Sequence, residues 1–225
     1  MGEPVRFYFD FISPYAYLAS TQVHAAAERA GRTVELAPVL FAALLDAHGT
    51  LGPAEVPAKR VYIFKDVLRS AHVLGVPLSP PPAHPFNPLL ALRVASLELG
   101  VEDRRRLVDA LFRATWGGGP GVTEPDVVAK IATDVGLDGP ALVAAAGGAD
   151  AKARVKARTD EALRLGAFGV PTLVVDGELF WGLDALPHAE RRMRGEDPVT
   201  PELLSRFRDV PAGSVRPRSR GPSVG

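Results

Sequence analysis

An apolar, aromatic run at residues 5–11 ends abruptly at Ser13-Pro14, and a helical pattern begins there. Such a run predicts a strand that is buried on both faces. Residues 14–30 carry alanines and a valine at helical spacing, and Gly31 suits the end of a helix. Residues 33–40 predict a second strand. A strand, a helix and a strand in this order predict a βαβ unit with two parallel strands.

Ser13 lies at the junction of the predicted strand and helix. Serine is a favoured helix N-cap and proline is favoured at the first helical position, so a plain helix start accounts for both residues. No G-x-S-x-G pattern surrounds Ser13, and the sequence indicates no His-Asp pair that would activate it. A role for Ser13 as the attacking nucleophile is therefore disfavoured.

A second strand-rich region lies at residues 168–186. The runs TLVV and ELFW flank Asp176-Gly177, a pair that favours a tight hairpin. Val170-Pro171 comes immediately before this hairpin, and a helix is predicted over 183–194. On sequence alone an ordinary turn explains Val170-Pro171 equally well.

The segment between the two strand-rich ends has a helical pattern. Residues 75–88 hold six prolines and predict an extended connection. The tail SVRPRSRGPSVG lacks apolar periodicity and is predicted to be disordered. Helices are predicted at 57–74, 89–99, 102–116, 124–136, 139–147, 151–165 and 201–208.

The composition excludes several classes of function. The chain of 225 residues has 26 basic and 26 acidic side chains, and this zero net charge argues against broad nucleic-acid binding. It has no cysteine, so any thiol chemistry needs a thiol from outside. The histidines lack metal-ligand spacing, so no metal site is expected. No run reaches transmembrane length and no signal-peptide pattern is found, so a cytoplasmic protein is expected.

Three stretches carry a family resemblance: FYFDFISPYAYLA, VPAKRVYIFKD and FGVPTLVVDGELFWGLDAL. In this order and at these distances the chain resembles the 2-hydroxychromene-2-carboxylate isomerases and the related kappa-class glutathione transferases, over most of residues 5–195. The resemblance implies an α/β, DsbA-like thioredoxin fold with a large all-helical insertion. It predicts a thioredoxin-like domain in two parts, 1–40 and 155–210, with the insertion at 41–154 and a disordered tail at 211–225.

The resemblance also implies glutathione as the cofactor and a conjugated aromatic pyruvate as the substrate. The implied reaction is a cis–trans isomerisation through reversible thiolate addition. The implied partners are therefore glutathione and a small aromatic molecule, without nucleic acid or membrane, and family members are usually homodimers. Two alternatives stay open: a kappa-like glutathione transferase, and a thioredoxin-like binding protein without catalytic activity.

Ser13 is the catalytic residue that the resemblance implies. A free thiol is mostly protonated at neutral pH, and a helix N-terminus offers unpaired N–H groups and a partial positive charge. A serine hydroxyl at that place donates a further hydrogen bond to sulfur. Ser13 would thus stabilise the glutathione thiolate without attacking the substrate itself.

The other implied roles concern glutathione binding. The backbone of Val170, beside Pro171, would pair with the cysteinyl part. Asp184 would bind the γ-glutamyl ammonium group, and Lys59 would lie near the glycyl carboxylate. Without the resemblance, Asp184 is a first-turn acid and Lys59 a surface lysine.

Three positions depart from the family pattern. Leu183 stands where the family has Asn or Ser, although its backbone N–H remains available, and Ala185 stands where an arginine is common. Thr50 stands where an Asn often contacts glutathione. These changes are the features that favour the non-catalytic alternative. The candidates for an acceptor pocket are His84-Pro85, Tyr15, Phe41, Tyr62, Phe64, Trp116 and Trp181. The alternatives are a plain loop histidine for His84 and core or interface positions for the aromatic residues, which are the commoner roles of such residues.

Overall fold

The first half of the sheet is the predicted βαβ unit. A computed structural model describes residues 2–208, 210–211 and 213–214. Strand β1 (Val5–Phe9) and strand β2 (Val34–Pro38) pair in parallel, joined by helix α1 (Pro14–Arg29). β1 is shorter than the predicted strand because the next residue, Asp10, turns its carboxylate back onto backbone N–H groups.

The second half of the sheet is the predicted hairpin. Strand β3 (Thr172–Val175) pairs antiparallel with β1 and with strand β4 (Glu178–Trp181), which gives the strand order β2-β1-β3-β4. Asp176 and Gly177 both adopt positive φ, at 49° and 80°. The sequence prediction of a tight Asp-Gly turn is confirmed.

The middle of the chain is helical, as predicted, and residues 75–88 contain neither helix nor strand. The helix at 41–48 and a short 3-10 turn at Pro53–Glu55 were not predicted from the sequence. The helices of this segment are α2 (Phe41–His48), α3 (Pro57–Leu74), α4 (Leu89–Ser96), α5 (Val101–Trp116), α6 (Pro125–Asp134), α7 (Gly139–Ala146) and α8 (Ala149–Arg164).

Helix α9 (Leu186–Met193) begins three residues later than the sequence indicates. Gly182 has a φ of 97°, a conformation that a helix cannot contain. Pro187 lacks an N–H and is therefore suited to the first turn. The residues between them form a turn that closes with a hydrogen bond from Leu186 N to Leu183 O.

Strands β1, β2 and β3 are largely buried on both faces, as the apolar character of β1 predicts, whereas the edge strand β4 is partly exposed. Phe7 and Phe9 stack on one face and contact Phe112 of α5 through Phe9. Tyr8 points to the other face, into a smaller cluster with residues of α2 and α8. A sheet covered on both faces places its strand ends, and not its faces, at the surface available to a ligand.

Helix α10 (Pro201–Arg208) ends the regular structure, and its side chains are exposed. The tail predicted to be disordered, residues 211–225, lies almost entirely outside the described residues. Within the described residues, none of the helices has the length and apolar character needed to cross a membrane.

Candidate functional site

A cleft of about 1440 Å³ lies between the sheet-bearing ends of the chain and α3. Thr50 is not part of its lining; it is exposed after α2, where its N–H donates to Leu45 O at 3.0 Å. Thr50 therefore lies apart from the other predicted ligand-binding residues. The cleft brings together Ser13, Lys59, Val170, Pro171, Leu183 and Asp184.

Ser13 is the N-cap of α1 and is only 7% exposed. Its Oγ accepts a hydrogen bond from Ala16 N at 3.2 Å, which confirms the predicted role of Ser13 as a helix N-cap. The hydroxyl hydrogen is not used in this bond, and among the described residues nothing accepts it. The Ser13 hydroxyl is thus both a cap and an available donor on the wall of the cleft.

The start of α1 leaves one further donor. Pro14 has no N–H, Ala16 N is capped by Ser13 Oγ, and Tyr17 N donates to Ser13 O at 3.1 Å. Within the part of the chain that the structure describes, nothing accepts the N–H of Tyr15. The first turn also contains no acidic side chain, so the partial positive charge of the helix end is not offset there.

Asp10 lies directly before this loop and is fully buried. Its Oδ1 accepts from Ile12 N at 3.1 Å and its Oδ2 accepts from Phe41 N at 2.9 Å. Burial raises the pKa of Asp10 to about 7, although these backbone hydrogen bonds oppose the shift. Asp10 therefore connects the loop before Ser13 to the start of α2.

Val170 and Pro171 form the wall that precedes β3, and the peptide bond between them is cis. Val170 is 8% exposed and lines the cleft. Among the described residues, neither its N–H nor its carbonyl oxygen has a hydrogen-bond partner. This backbone can pair with an extended ligand as a strand edge pairs with another strand.

The turn before α9 supplies the next part of the wall. Leu183 is half-buried and Asp184 is exposed, and both line the cleft. Within the described residues their backbone N–H groups lack acceptors. The turn therefore offers two N–H donors and a carboxylate, a combination that suits an amino acid group.

Helix α3 forms the opposite wall and presents mainly side chains. Lys59 and Arg60 lie in its first turns and are exposed. Arg60 lies over the ring of Phe64 at 5.8 Å, a cation–π contact. Among the described residues, Lys59 forms no ion pair and is therefore available to an anionic ligand.

Most of the predicted acceptor-pocket aromatics line the cleft, but Trp116 does not. Trp116 is 1% exposed and its Nε1 donates to Phe11 O at 2.8 Å, so this candidate is a core residue, which is the alternative for these aromatics. Tyr15 lines the cleft and donates its hydroxyl to Asp66 at 2.7 Å. Burial, and then Asp66, raise the pKa of Tyr15, which keeps its phenol protonated.

Sequence reasoning missed the role of Asp10 and underestimated His84. The signal for Asp10 was present, since an acid interrupts the aromatic run FYFDF. His84 lines the cleft and lies 3.1 Å through Nε2 from Ile12 O, a contact across 72 positions that no local pattern reveals. The described residues contain no group of three or more acids and histidines placed to hold a metal ion.

The fold, with helix α1 capped by Ser13 after β1, defines a thioredoxin-like protein. The DSBA-like thioredoxin domain family matches residues 4–194. A 2-hydroxychromene-2-carboxylate isomerase from Sphingobium xenophagum is 31% identical over 192 residues, which cover 84% of this chain and 97% of that protein. A solved structure of a 2-hydroxychromene-2-carboxylate isomerase superimposes with a TM-score of 0.78 at 27% identity, covering 92% of this chain and 99% of that chain. The chain belongs to the 2-hydroxychromene-2-carboxylate isomerase family within the DsbA-like thioredoxin fold.

A second group of relatives consists of kappa-class transferases. The glutathione S-transferase kappa 2 of Caenorhabditis elegans is 27% identical over 198 residues, which cover 81% of this chain and 88% of that protein. The relatives are thus isomerases and transferases, which supports an enzyme. The predicted DsbA-like thioredoxin fold is confirmed.

Proposed function

We propose that this chain is a glutathione-dependent cis–trans isomerase of the 2-hydroxychromene-2-carboxylate type, acting on a conjugated aromatic pyruvate. The observation that carries the proposal is the start of α1. A buried serine hydroxyl and a Tyr15 N–H without an acceptor among the described residues lie together on the cleft, at the positive end of a helix. Membership of the isomerase family supports the same reaction.

The residues of the cleft fit glutathione because their free groups match its parts. The Val170 backbone is unpaired among the described residues, as an extended cysteinyl segment requires. The Leu183 N–H and the Asp184 carboxylate suit the γ-glutamyl end, and Lys59 suits the glycyl carboxylate. When bound, glutathione supplies a thiolate that adds reversibly to a conjugated double bond, so that this bond can rotate.

Ser13 and Tyr15 have the central role in this proposal. The Ser13 hydroxyl and the Tyr15 N–H donate to the sulfur, which favours its charged form and lowers the thiol pKa. The remaining cleft wall, with Phe41, Tyr62 and Phe64, offers apolar surface for the aromatic part of the substrate. No side chain of the protein needs to attack the substrate.

The test is a calorimetric titration with glutathione, combined with ultraviolet detection of the bound thiolate. The variants are Ser13→Ala and a matched control, Ser20→Ala, since Ser20 is also a buried serine of α1 whose Oγ donates to a backbone carbonyl. We expect the wild type and Ser20→Ala to bind and give the thiolate signal, and Ser13→Ala to lose that signal. Equal signals, or equal turnover of an aromatic pyruvate, in Ser13→Ala and the wild type would contradict the role of Ser13.

The kappa-class relatives favour a second candidate, a glutathione transferase that uses the same activated thiolate. The two activities differ in stoichiometry, because only a transferase consumes glutathione. Product analysis after complete conversion of an aromatic substrate distinguishes them. Failure to bind any thiol would instead support the non-catalytic alternative, which Leu183 and Ala185 favour.

Assembly and location follow the same resemblance. We propose a homodimer in the cytoplasm, with glutathione and a small aromatic substrate as its partners. Light scattering of the purified protein tests the homodimer, and fractionation of cells tests the location.

A further inference from the structure

The two peptide units that lead into Ser13 are each held at both ends. In the first, Ile12 N donates to Asp10 Oδ1 at 3.1 Å and Phe11 O accepts from Trp116 Nε1 at 2.8 Å. In the second, Ser13 N donates to Asp10 O at 3.1 Å and Ile12 O lies 3.1 Å from His84 Nε2. A peptide unit is planar, so fixing its N–H and its carbonyl fixes the direction of the chain that follows.

The contact with Ile12 O defines the tautomer of His84. A carbonyl oxygen only accepts hydrogen bonds, so Nε2 must carry the proton. Nδ1 is buried and has no partner among the described residues, which suits a bare lone pair and not an N–H. Burial, and to a smaller degree Arg60, lowers the pKa of His84, although its hydrogen bond to Ile12 opposes the shift. The ring is therefore neutral, with its one proton directed at the loop.

The position of the His84 ring is set from two sides by aromatic packing. The ring meets Phe64 at 5.6 Å and Trp116 at 5.4 Å, centroid to centroid, and both contacts are edge-on. The His84 carbonyl accepts from Arg60 at 3.2 Å. The imidazole thus has little freedom to leave the Ile12 carbonyl.

We propose that His84 is a positioning residue for Ser13: its Nε2–H fixes the Ile12–Ser13 peptide unit and thereby directs the Ser13 hydroxyl into the cleft. The inference rests on the proposed function, in which that hydroxyl donates to the sulfur of glutathione. Without the His84 donor, the Ile12–Ser13 peptide unit is held at one end only, through the hydrogen bond from Ser13 N to Asp10 O, and its carbonyl end can shift. The Ser13 hydroxyl then spends part of its time out of line with the sulfur.

His84 is the member of this set that can be changed with the least damage to the fold. Trp116 and Asp10 are almost completely buried, whereas His84 is half-buried on the cleft wall. His84→Phe keeps an aromatic ring between Phe64 and Trp116 but removes the donor. His84→Gln does the reverse, since the amide nitrogen of glutamine takes the place of Nε2 and the ring is lost.

The experiment measures the pKa of the bound glutathione thiol from its ultraviolet thiolate absorbance, together with the affinity for S-methylglutathione. S-methylglutathione has no ionisable thiol, so its affinity reports the binding surface without the thiolate charge that Ser13 is proposed to stabilise. In His84→Phe we expect the thiol pKa to rise by up to about one unit, which is up to about tenfold less thiolate at neutral pH. We expect unchanged S-methylglutathione affinity in both variants and a thiol pKa near that of the wild type in His84→Gln.

The outcomes separate this inference from the proposed function. A wild-type thiol pKa in His84→Phe overturns the role of His84 and leaves the proposed function standing. Equal shifts in His84→Phe and His84→Gln also overturn it, because a variant that keeps the donor would then fail as much as a variant that lacks it. A wild-type protein that binds S-methylglutathione but gives no thiolate signal overturns the proposed function and this inference together. Thermal midpoints, measured on all the proteins, show that the compared variants are folded.

Discussion

On one wall of the cleft Ser13 and Val170 are 7% and 8% exposed, whereas on the other wall Lys59, Arg60 and Tyr62 project into solvent. The first wall belongs to the sheet and the helix that follows it, and it offers backbone groups fixed by packing. The second wall is α3, a helix of 18 residues of which Val67 and Ala71 are buried. In the proposed function the sheet wall therefore holds the groups that contact the sulfur, and α3 adds affinity through exposed side chains.

The largest expected effect is a loss of stability, which should differ between a buried leucine of α1 and an exposed leucine of α3. Leu18 of α1 is 0% exposed, and Leu68 of α3 is 56% exposed. We expect Leu18→Ala to lower the free energy of unfolding by about 2–5 kcal/mol, since it leaves a cavity in the core. Leu68→Ala, the same chemical change on α3, should stay within about 0.5 kcal/mol of the wild type. Urea denaturation measures both, and similar losses in the two variants would remove the contrast between the walls.

The next effect concerns pH and the sheet wall, where Asp10 has a pKa of about 7 against an ordinary value of 3.8. Between these values the native protein keeps a proton that the unfolded chain has released. The contribution of Asp10 to stability is therefore full below pH 3.8 and is lost as the pH rises through 7. The loss amounts to at most about 1.4 kcal/mol per pH unit.

The control for Asp10 is Asp10→Asn, which cannot titrate and keeps one carbonyl acceptor. His24 acts in the opposite direction, because burial lowers its pKa to about 4, so the informative quantity is the difference between wild type and variant. We expect the free energy of unfolding of Asp10→Asn to increase relative to that of the wild type as the pH rises. Parallel curves from pH 4 to 7 would show that Asp10 is ionised in the folded protein.

The smallest effect belongs to α3. Lys59→Met keeps the alkyl chain and removes the charge, so it should weaken glutathione binding by up to about fivefold, as an exposed ion pair is worth up to about 1 kcal/mol. The loss should shrink at high salt, because the contact is screened. The thiolate signal at saturation should not change, and a variant that lost this signal would place α3 in the chemistry.

The parts of the fold that the sequence predicts correctly are those with local signals. Ser13-Pro14 marks a helix start by the chemistry of its cap, and Asp176-Gly177 marks a hairpin by its tolerance of positive φ. The family resemblance further predicts that the βαβ unit and the hairpin belong to one thioredoxin-like fold with helices inserted between them. Helix α2 was missed because its N-cap is Leu40, which has no capping side chain.

The parts of the candidate site that escaped prediction depend on contacts between distant residues. Residue type alone could not separate Trp116 from the other pocket candidates, and only the fold shows that its indole reaches Phe11 across 105 positions and is buried there. His84 was treated as a loop histidine, and only the folded chain brings it to Ile12. Thr50 was named from the family resemblance, whereas the turn after α2 leaves it off the cleft.

Because Pro14 is the first residue of α1, the start of this helix has fewer free N–H groups to donate to an anion. Phosphate groups at helix N-termini draw on several free N–H groups at once. Here Pro14 has none, Ser13 takes up those of Ala16 and Tyr17, and the N–H of Tyr15 is what remains among the described residues. With the Ser13 hydroxyl this makes a two-donor site, enough to coordinate one charged atom and too few for the oxygens of a phosphate. The number of free donors, as well as the charge of the helix end, therefore suits the proposed thiolate, whose charge lies on one sulfur atom.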